Sequence, residues 1–211
     1  MKFKPKSPNQ DEYLQSIISN KITFCEGPAG SGKTYLATLK AISDLQKGIY
    51  DKIIISRPLV QSGEDTGFLP GDINAKLDPY IKPIYDILET VLTVKEITKL
   101  MQDHQIQIVP FAYMRGRSFF NSFIILDEVQ NCSYSQLLLA LTRFGKNSRM
   151  VLTGDSAQSD LPHGKRGAFM EIGDKLRETY DIGVVKLETC DIVREPIIRT
   201  ILEKLNEKAE I

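Results

Sequence analysis

The sequence predicts an α/β fold in which a mainly parallel sheet carries helices on both faces. Three observations predict it. Short apolar runs recur along the chain with helix-compatible stretches between them, the alternation expected of parallel strands joined by crossover helices. One run, Asp51-Lys52-Ile53-Ile54-Ile55-Ser56, is apolar without alternation, as in a strand buried on both sides. Polar and acidic motifs follow the carboxyl ends of the expected strands, where open α/β sheets bind their ligands.

The element that orders the rest is Gly27-Pro28-Ala29-Gly30-Ser31-Gly32-Lys33-Thr34, which fits G-x-x-x-x-G-K-[ST] at every fixed position. Ile22-Thr23-Phe24-Cys25 reads as the strand before it, and Tyr35 to Leu45 as the helix after it. In that context the motif predicts a P-loop NTPase. Glycines let backbone N–H groups turn inward around phosphate oxygens, and the helix start adds free donors and a positive dipole end. Lys33 supplies a charge for the β- and γ-phosphates, and the Thr34 hydroxyl is placed to ligate Mg²⁺.

Composition bounds the rest. The 211 residues suffice for one α/β domain. Twenty-seven basic residues balance 27 acidic ones, so a polyanion site has to be a local patch and not a global field. Cys25, Cys132 and Cys190 lack metal-ligand spacing, and an odd, sparse set fits reduced thiols and a cytoplasmic location. No apolar run is long enough to span a bilayer, and no signal peptide is expected.

Residues 1–8 are basic and proline-bearing, an expected extended arm, and residues 9–211 form the expected single domain. An amphipathic helix is expected from Asp11 to Ser19. Gln10, just upstream of the phosphate loop, either reads the N6 and N7 edge of adenine with its amide or serves as a polar helix-start residue. After the strand ending at Ser56 come Arg57-Pro58 and a glycine- and proline-bearing loop, Gln61 to Asp72. Asp72 to Leu92 reads as helix interrupted near Pro79 and Pro83. Thr93 to Asp103 reads as a second helix with Thr93 as its cap, and Ile106 to Val109 as a short strand. Tyr113-Met114-Arg115-Gly116-Arg117 is an expected loop.

Phe123-Ile124-Ile125-Leu126 ends abruptly in Asp127-Glu128. Behind a phosphate loop, Asp127 is expected to hold Mg²⁺ and Glu128 to polarise the attacking water; the plainer alternative is a strand end with two solvated acids. Ser133 to Phe144 reads as a helix capped by Ser133. Arg149 to Thr153 reads as a strand ending in Gly154-Asp155-Ser156-Ala157-Gln158, where Gln158 is placed to contact the γ-phosphate or the attacking water. Leu161 to Gly167 is a loop with a small basic cluster. Ile182 to Leu187 is a last strand, and Ile197 to Lys208 a closing helix.

Together these stretches resemble the PhoH-like family, a single-domain relative of the superfamily 1 helicase core. The resemblance rests on the phosphate loop, Arg57-Pro58, Gly67-Phe68-Leu69-Pro70-Gly71-Asp72, Asp78-Pro79-Tyr80 and Tyr113 to Arg117. It continues through Asp127-Glu128-Val129-Gln130-Asn131, Thr153-Gly154-Asp155, Gln158, Asp160-Leu161-Pro162 and Asp191-Ile192-Val193-Arg194. It implies a RecA-like ATPase using ATP and Mg²⁺, linked to RNA or other nucleic acid. Asp127 and Glu128 would be the Walker B pair, Gln158 the γ-phosphate sensor and Arg194 an arginine finger. The sequence departs from the family pattern at Ser156-Ala157, where Ile-Thr is usual, and at Gly164-Lys165-Arg166-Gly167. Its length suits a phage-encoded member, hence a bacterial or phage-infected cell.

With one phosphate loop and room for one such domain, Arg194 is expected to act on a neighbour's nucleotide in a homo-oligomeric ring, a hexamer by resemblance; the alternative is a salt bridge with Glu195 or another nearby acid. Arg57, Arg115 and Arg117 are the candidate contacts to the phosphates of a single strand. Two functions are weighed: an ATPase motor on single-stranded RNA or DNA, and a nucleotide-gated switch whose partner is a protein. A small-molecule kinase fits Glu128 and Gln158 poorly, since both suit water activation.

Overall fold

The computed structural model describes residues 4–58, 82–162 and 167–193. Within them six strands form one sheet: β1 (Ile22–Glu26), β2 (Lys52–Ser56), β3 (Ile106–Ile108), β4 (Ser122–Leu126), β5 (Arg149–Gly154) and β6 (Ile182–Lys186). Their order is β3-β2-β4-β5-β1-β6. Every pairing is parallel, so the expected fold class stands, and "mainly parallel" becomes wholly parallel for these strands.

Strand parity divides the core. Ile53 and Ile55 of β2 and Phe123 and Ile125 of β4 face one layer. That layer also receives Tyr13, Leu14 and Ile17 of α1 (Pro8–Ser19) and Leu36, Ala37, Ala41 and Ile42 of α2 (Lys33–Gln46). Ile84 and Leu88 of α3 (residues 82–89) and Ile97 of α4 (Val94–Gln102) complete it. Ile54, Ile124, Leu126, Met150 and Leu152 face the other layer, with Leu137 and Ala140 of α5 (Tyr134–Leu141) and Phe169 and Ile172 of α6 (Ala168–Leu176). Successive strand side chains point to opposite faces, so an unbroken run such as Ile53-Ile54-Ile55 feeds both layers.

Helix starts follow local chemistry. Thr93 and Ser133 each accept from the backbone three residues on, while Glu96 and Gln136 reach back to the cap, two full capping boxes. α1 begins at Pro8, inside the expected arm and ahead of the expected Asp11. Ser7 accepts from the Gln10 N–H, and proline fits the first helical position because its missing N–H has no partner there anyway. Tyr113 and Met114, expected in a loop with Arg115 to Arg117, end a 3₁₀ turn over Phe111–Met114, with Gly116 at φ 77° beyond it. α6 was not expected. The Gln61–Asp72 loop, most of the basic cluster, Arg194 and the closing helix lie outside the described residues. Among the described residues no helix is long and apolar enough to cross a membrane.

Candidate nucleotide site at the carboxyl edge of the sheet

The parallel registers decide which side chains meet at this edge. Glu26 lies opposite Gly154, so the chain leaving β1 emerges beside the chain leaving β5, and Gly27 donates to the Gly154 carbonyl at 3.1 Å. The loop then turns with Gly30 at φ 84° and Gly32 at φ 89°, a region where a side chain would be strained. Gly27 is confined by space: a Cβ there would lie 2.8 Å from both the Cβ and the carbonyl oxygen of Leu187. Ser31 is fully buried and its hydroxyl donates to the Pro28 carbonyl at 2.7 Å. α2 starts at Lys33, so its free N–H groups and positive dipole end face the loop. The Lys33 ammonium is buried and donates to the carbonyls of Gly27 and Pro28, the latter at 2.9 Å.

The second register, Ser56 opposite Leu126, brings Arg57 beside Asp127 and Glu128. Asp127 is 4% exposed. Its Oδ1 accepts from the Thr34 hydroxyl at 2.7 Å and the Thr153 hydroxyl at 2.6 Å, so the acid after β4, the start of α2 and the end of β5 meet on one oxygen. Glu128 sits at φ 56°, an uncommon conformation for a side-chain-bearing residue, of the kind that collects at functional sites. Its Oε2 accepts from the Gln130 amide at 2.7 Å, and its Oε1 from the Arg57 guanidinium at 2.8 Å. Gln130 in turn accepts from the Asp155 N–H at 3.1 Å.

The other expected site residues are placed as follows. Gln158 lies exposed in the 3₁₀ turn Ser156–Gln158 at the tip of β5, its N–H donating to the Asp155 carbonyl. Gln10 lies beside the phosphate loop, and both of its amide edges, expected on adenine or at a helix start, serve the protein itself. Nε2 donates to the carbonyls of Ser31 (3.0 Å) and Asp191 (3.3 Å), and Oε1 accepts from the Lys6 N–H (2.8 Å). Gln10 therefore brackets the loop to the 189–193 segment, whose Val193 N–H also donates to the Gly30 carbonyl. Lys4, Lys6, Gln10, Gly30, Gly32, Tyr35, Leu36 and Val193 line a cavity of about 360 Å³ beside the loop.

The three arginines part company. Arg57, expected on a strand's phosphates, is held against Asp127 and Glu128. Arg117 donates to the Gln107 side chain at 3.0 Å and lies 4.9 Å from the Phe119 ring centre. Arg115 is exposed and, with Phe111, Ser135, Gln136 and Leu139, lines a cavity of about 340 Å³ along α5. Thr153 on Asp127, Asp155 on the Ala29 N–H and Arg57 on the two acids are contacts the sequence reading did not assign. Beneath the loop Cys25 is buried, and burial pushes its thiol well above its ordinary range, so it acts as a small apolar core residue.

Comparison with known proteins bears on the family and the fold. A family model described as PhoH-like protein matches residues 2–206. The PhoH-like protein of Bacillus subtilis (strain 168) is 42% identical over 203 residues, covering 96% of this chain and 64% of the relative. That of Mycobacterium tuberculosis (strain H37Rv) is 44% identical over 201 residues, covering 95% of this chain and 57% of the relative. The chain thus spans about three fifths of the length of these relatives. Among solved structures, the large terminase from a thermophilic bacteriophage superposes with a TM-score of 0.60 at 11% identity, over 95% of this chain and 50% of that one, a likeness of fold. The chain belongs to the PhoH-like family and has a P-loop NTPase fold.

Proposed function

We propose that this chain hydrolyses ATP with Mg²⁺ and couples hydrolysis to single-stranded nucleic acid as part of a homo-oligomeric ring. One observation carries the ATPase reading: Thr34 and Thr153 converge on Asp127 beside the phosphate loop, with Glu128 the next residue in the chain. The oxygen donors of Thr34 and Asp127 fit a hard divalent cation, and Mg²⁺ bound there would neutralise charge on the β- and γ-phosphates. The protein's own groups do the rest. Loop N–H groups and the α2 start hold the phosphates, and Lys33 exchanges its carbonyl partners for phosphate oxygens. Glu128 takes a proton from water as the water oxygen attacks the γ-phosphorus and ADP leaves. Gln158 orients that water. The apolar faces of Tyr35, Leu36 and Val193 suit the base, while Gln10 holds the loop.

The strand reading is supported by Arg115 in its cavity and by Tyr113, exposed on the turn before it; the Tyr134 ring on the adjoining helix faces the Lys175 ammonium at 5.5 Å. The ring reading rests on the family and on Arg194 acting in trans, as sedimentation of the active species would test. The test of function is steady-state ATP hydrolysis with and without single-stranded RNA and DNA, beside Lys33→Ala and Glu128→Gln. Stimulation by one polymer, with hydrolysis lost in both variants, is expected. Hydrolysis indifferent to both polymers would replace the motor with a switch acting on a protein partner.

A further inference from the structure

All four carboxylate oxygens of Asp127 and Glu128 lie against a donor. Asp127 Oδ1 takes two hydroxyls and its Oδ2 lies 3.1 Å from Arg57 Nε; Glu128 Oε1 takes Arg57 and its Oε2 takes Gln130. Each Glu128 oxygen keeps a free lone pair, but its bond to the Arg57 guanidinium is an ion pair that weakens as the carboxylate takes a proton from water. Glu128 therefore acts as a base more readily once one of its two partners has left.

The two partners are not equally held. Gln130 is 5% exposed and fixed at three points: its amide oxygen accepts from the Asp155 N–H, its amide nitrogen donates to Glu128, and its backbone carbonyl accepts from the Ser159 hydroxyl at 3.0 Å. Its amide is also confined, since a Cβ on Gly154 would come within 3.1 Å of it. Arg57 is a long side chain, 20% exposed, on the residue that follows β2. Its directed bond goes to Glu128. Its Nε approaches Asp127 closely but off the N–H line, an electrostatic contact without a hydrogen bond. Arg57 is therefore the partner that leaves at least cost. A guanidinium leaving two carboxylates needs another anion, and the planar fork of arginine matches phosphate oxygens as well as carboxylates.

We propose that Arg57 is a latch on the Glu128 carboxylate, opened when a phosphodiester of a bound single strand draws the guanidinium away. Arg57 is thus a positioning residue that makes hydrolysis wait for the strand. This reconciles its expected role as a strand contact with its place on the acids, and it rests on the strand-coupled ATPase reading above.

The test measures hydrolysis by wild type, Arg57→Gln and Arg57→Lys, each with and without saturating single strand, alongside affinity for a fluorescent ADP analogue and the urea midpoint. With the latch gone, Arg57→Gln hydrolyses about tenfold faster than wild type without strand, the scale of one charge-assisted hydrogen bond. Its stimulation by strand shrinks by the same factor, and its ADP affinity stays at the wild-type value. Loss of a purely structural residue would not raise a rate. Arg57→Lys, which keeps the charge without the fork, falls between the two and covers the case in which the glutamine variant does not fold. A strand-free rate at or below wild type in both variants overturns the latch. A faster Arg57→Gln beside a wild type that ignores strand keeps the hold on Glu128 but removes the strand as its trigger, and the motor reading falls with it.

Discussion

Asp155 accepts a hydrogen bond from the backbone N–H of Ala29 at 3.2 Å, so an acid at the end of β5 is hooked to the phosphate loop at the end of β1. Its other oxygen accepts from the Ala157 N–H at 3.1 Å and so caps the turn that carries Gln158. One mostly buried carboxylate thereby fixes the loop and the expected phosphate sensor to each other.

Asp155→Ala removes both acceptors. Charge-assisted bonds of this kind are worth about 1.5–3 kcal/mol, and a loss of about 2 kcal/mol is expected in urea unfolding, together with lower ATP turnover. Asp155→Asn, which keeps one acceptor, should lose less. Equal stability of the alanine variant and wild type would remove the hook as a structural element.

Thr153→Val tests the shared oxygen. The variant keeps the shape of the side chain but leaves the buried Asp127 carboxylate with Thr34 as its remaining hydroxyl donor. Stability should fall by about 1–2 kcal/mol. The Mg²⁺ concentration needed for half-maximal hydrolysis should rise, because the Asp127 oxygen proposed to hold the metal loses a group that orients it.

Gly145 and Gly48 separate crowding from backbone strain. A Cβ at Gly145 would lie 2.3 Å from the Phe119 carbonyl oxygen, and that backbone is held by the Gly145 N–H donating back to it. Gly145→Ala should cost about 3 kcal/mol, the upper range of overpacking. Gly48 has φ 68° and open space around its Cβ position, so Gly48→Ala should cost about 1 kcal/mol, from strain alone. Both follow from thermal or urea unfolding, and a reversed order would contradict the geometry.

The cysteines should titrate and react unequally. Burial pushes the Cys132 thiol up to about 12 from an ordinary 9.0 and raises Cys25 further, while Cys190 is exposed. Iodoacetamide at pH 8 should alkylate Cys190 in the folded protein and reach Cys25 and Cys132 after denaturation. The linkage sign follows. Between about pH 9 and 12 the folded state holds protons on these thiols that the unfolded state has released, so their contribution to stability is complete below pH 9 and declines above it.

Much of the fold and site was legible because the signals are local. Gly27 to Thr34 carries its spacing in eight consecutive residues, and the apolar runs ending at Ser56 and Leu126 announce buried parallel strands. The capping boxes at Thr93 and Ser133 are likewise written within four residues. What escaped depends on register. Arg57 and Glu128 are 71 residues apart, and nothing in either neighbourhood states that Ser56 will lie opposite Leu126. The same holds for Asp155 and Ala29, joined by the pairing of Glu26 with Gly154. α6 escaped for another reason. Its buried residues Ala168, Phe169, Ile172 and Gly173 include two small ones, which weakens the apolar stripe, and its N-cap is Gly167, which has no side chain to cap it. Gln10 was read as an adenine contact or a helix-start residue, while the carbonyls its amide meets are backbone groups, which no residue pattern encodes.

The position of β1 between β5 and β6 bears on the order in which the protein is made. β1 is synthesised first but has no strand to pair with until Arg149–Gly154 exists, and its second flank waits for Ile182–Lys186. Emerging from a ribosome, β2, β3 and β4 can associate early, while the strand leading into the phosphate loop stays unpaired with both edges open, a state prone to wrong partners. Nucleotide can favour the folded chain only after β5 has emerged, so the late strands decide when the nucleotide site comes into being.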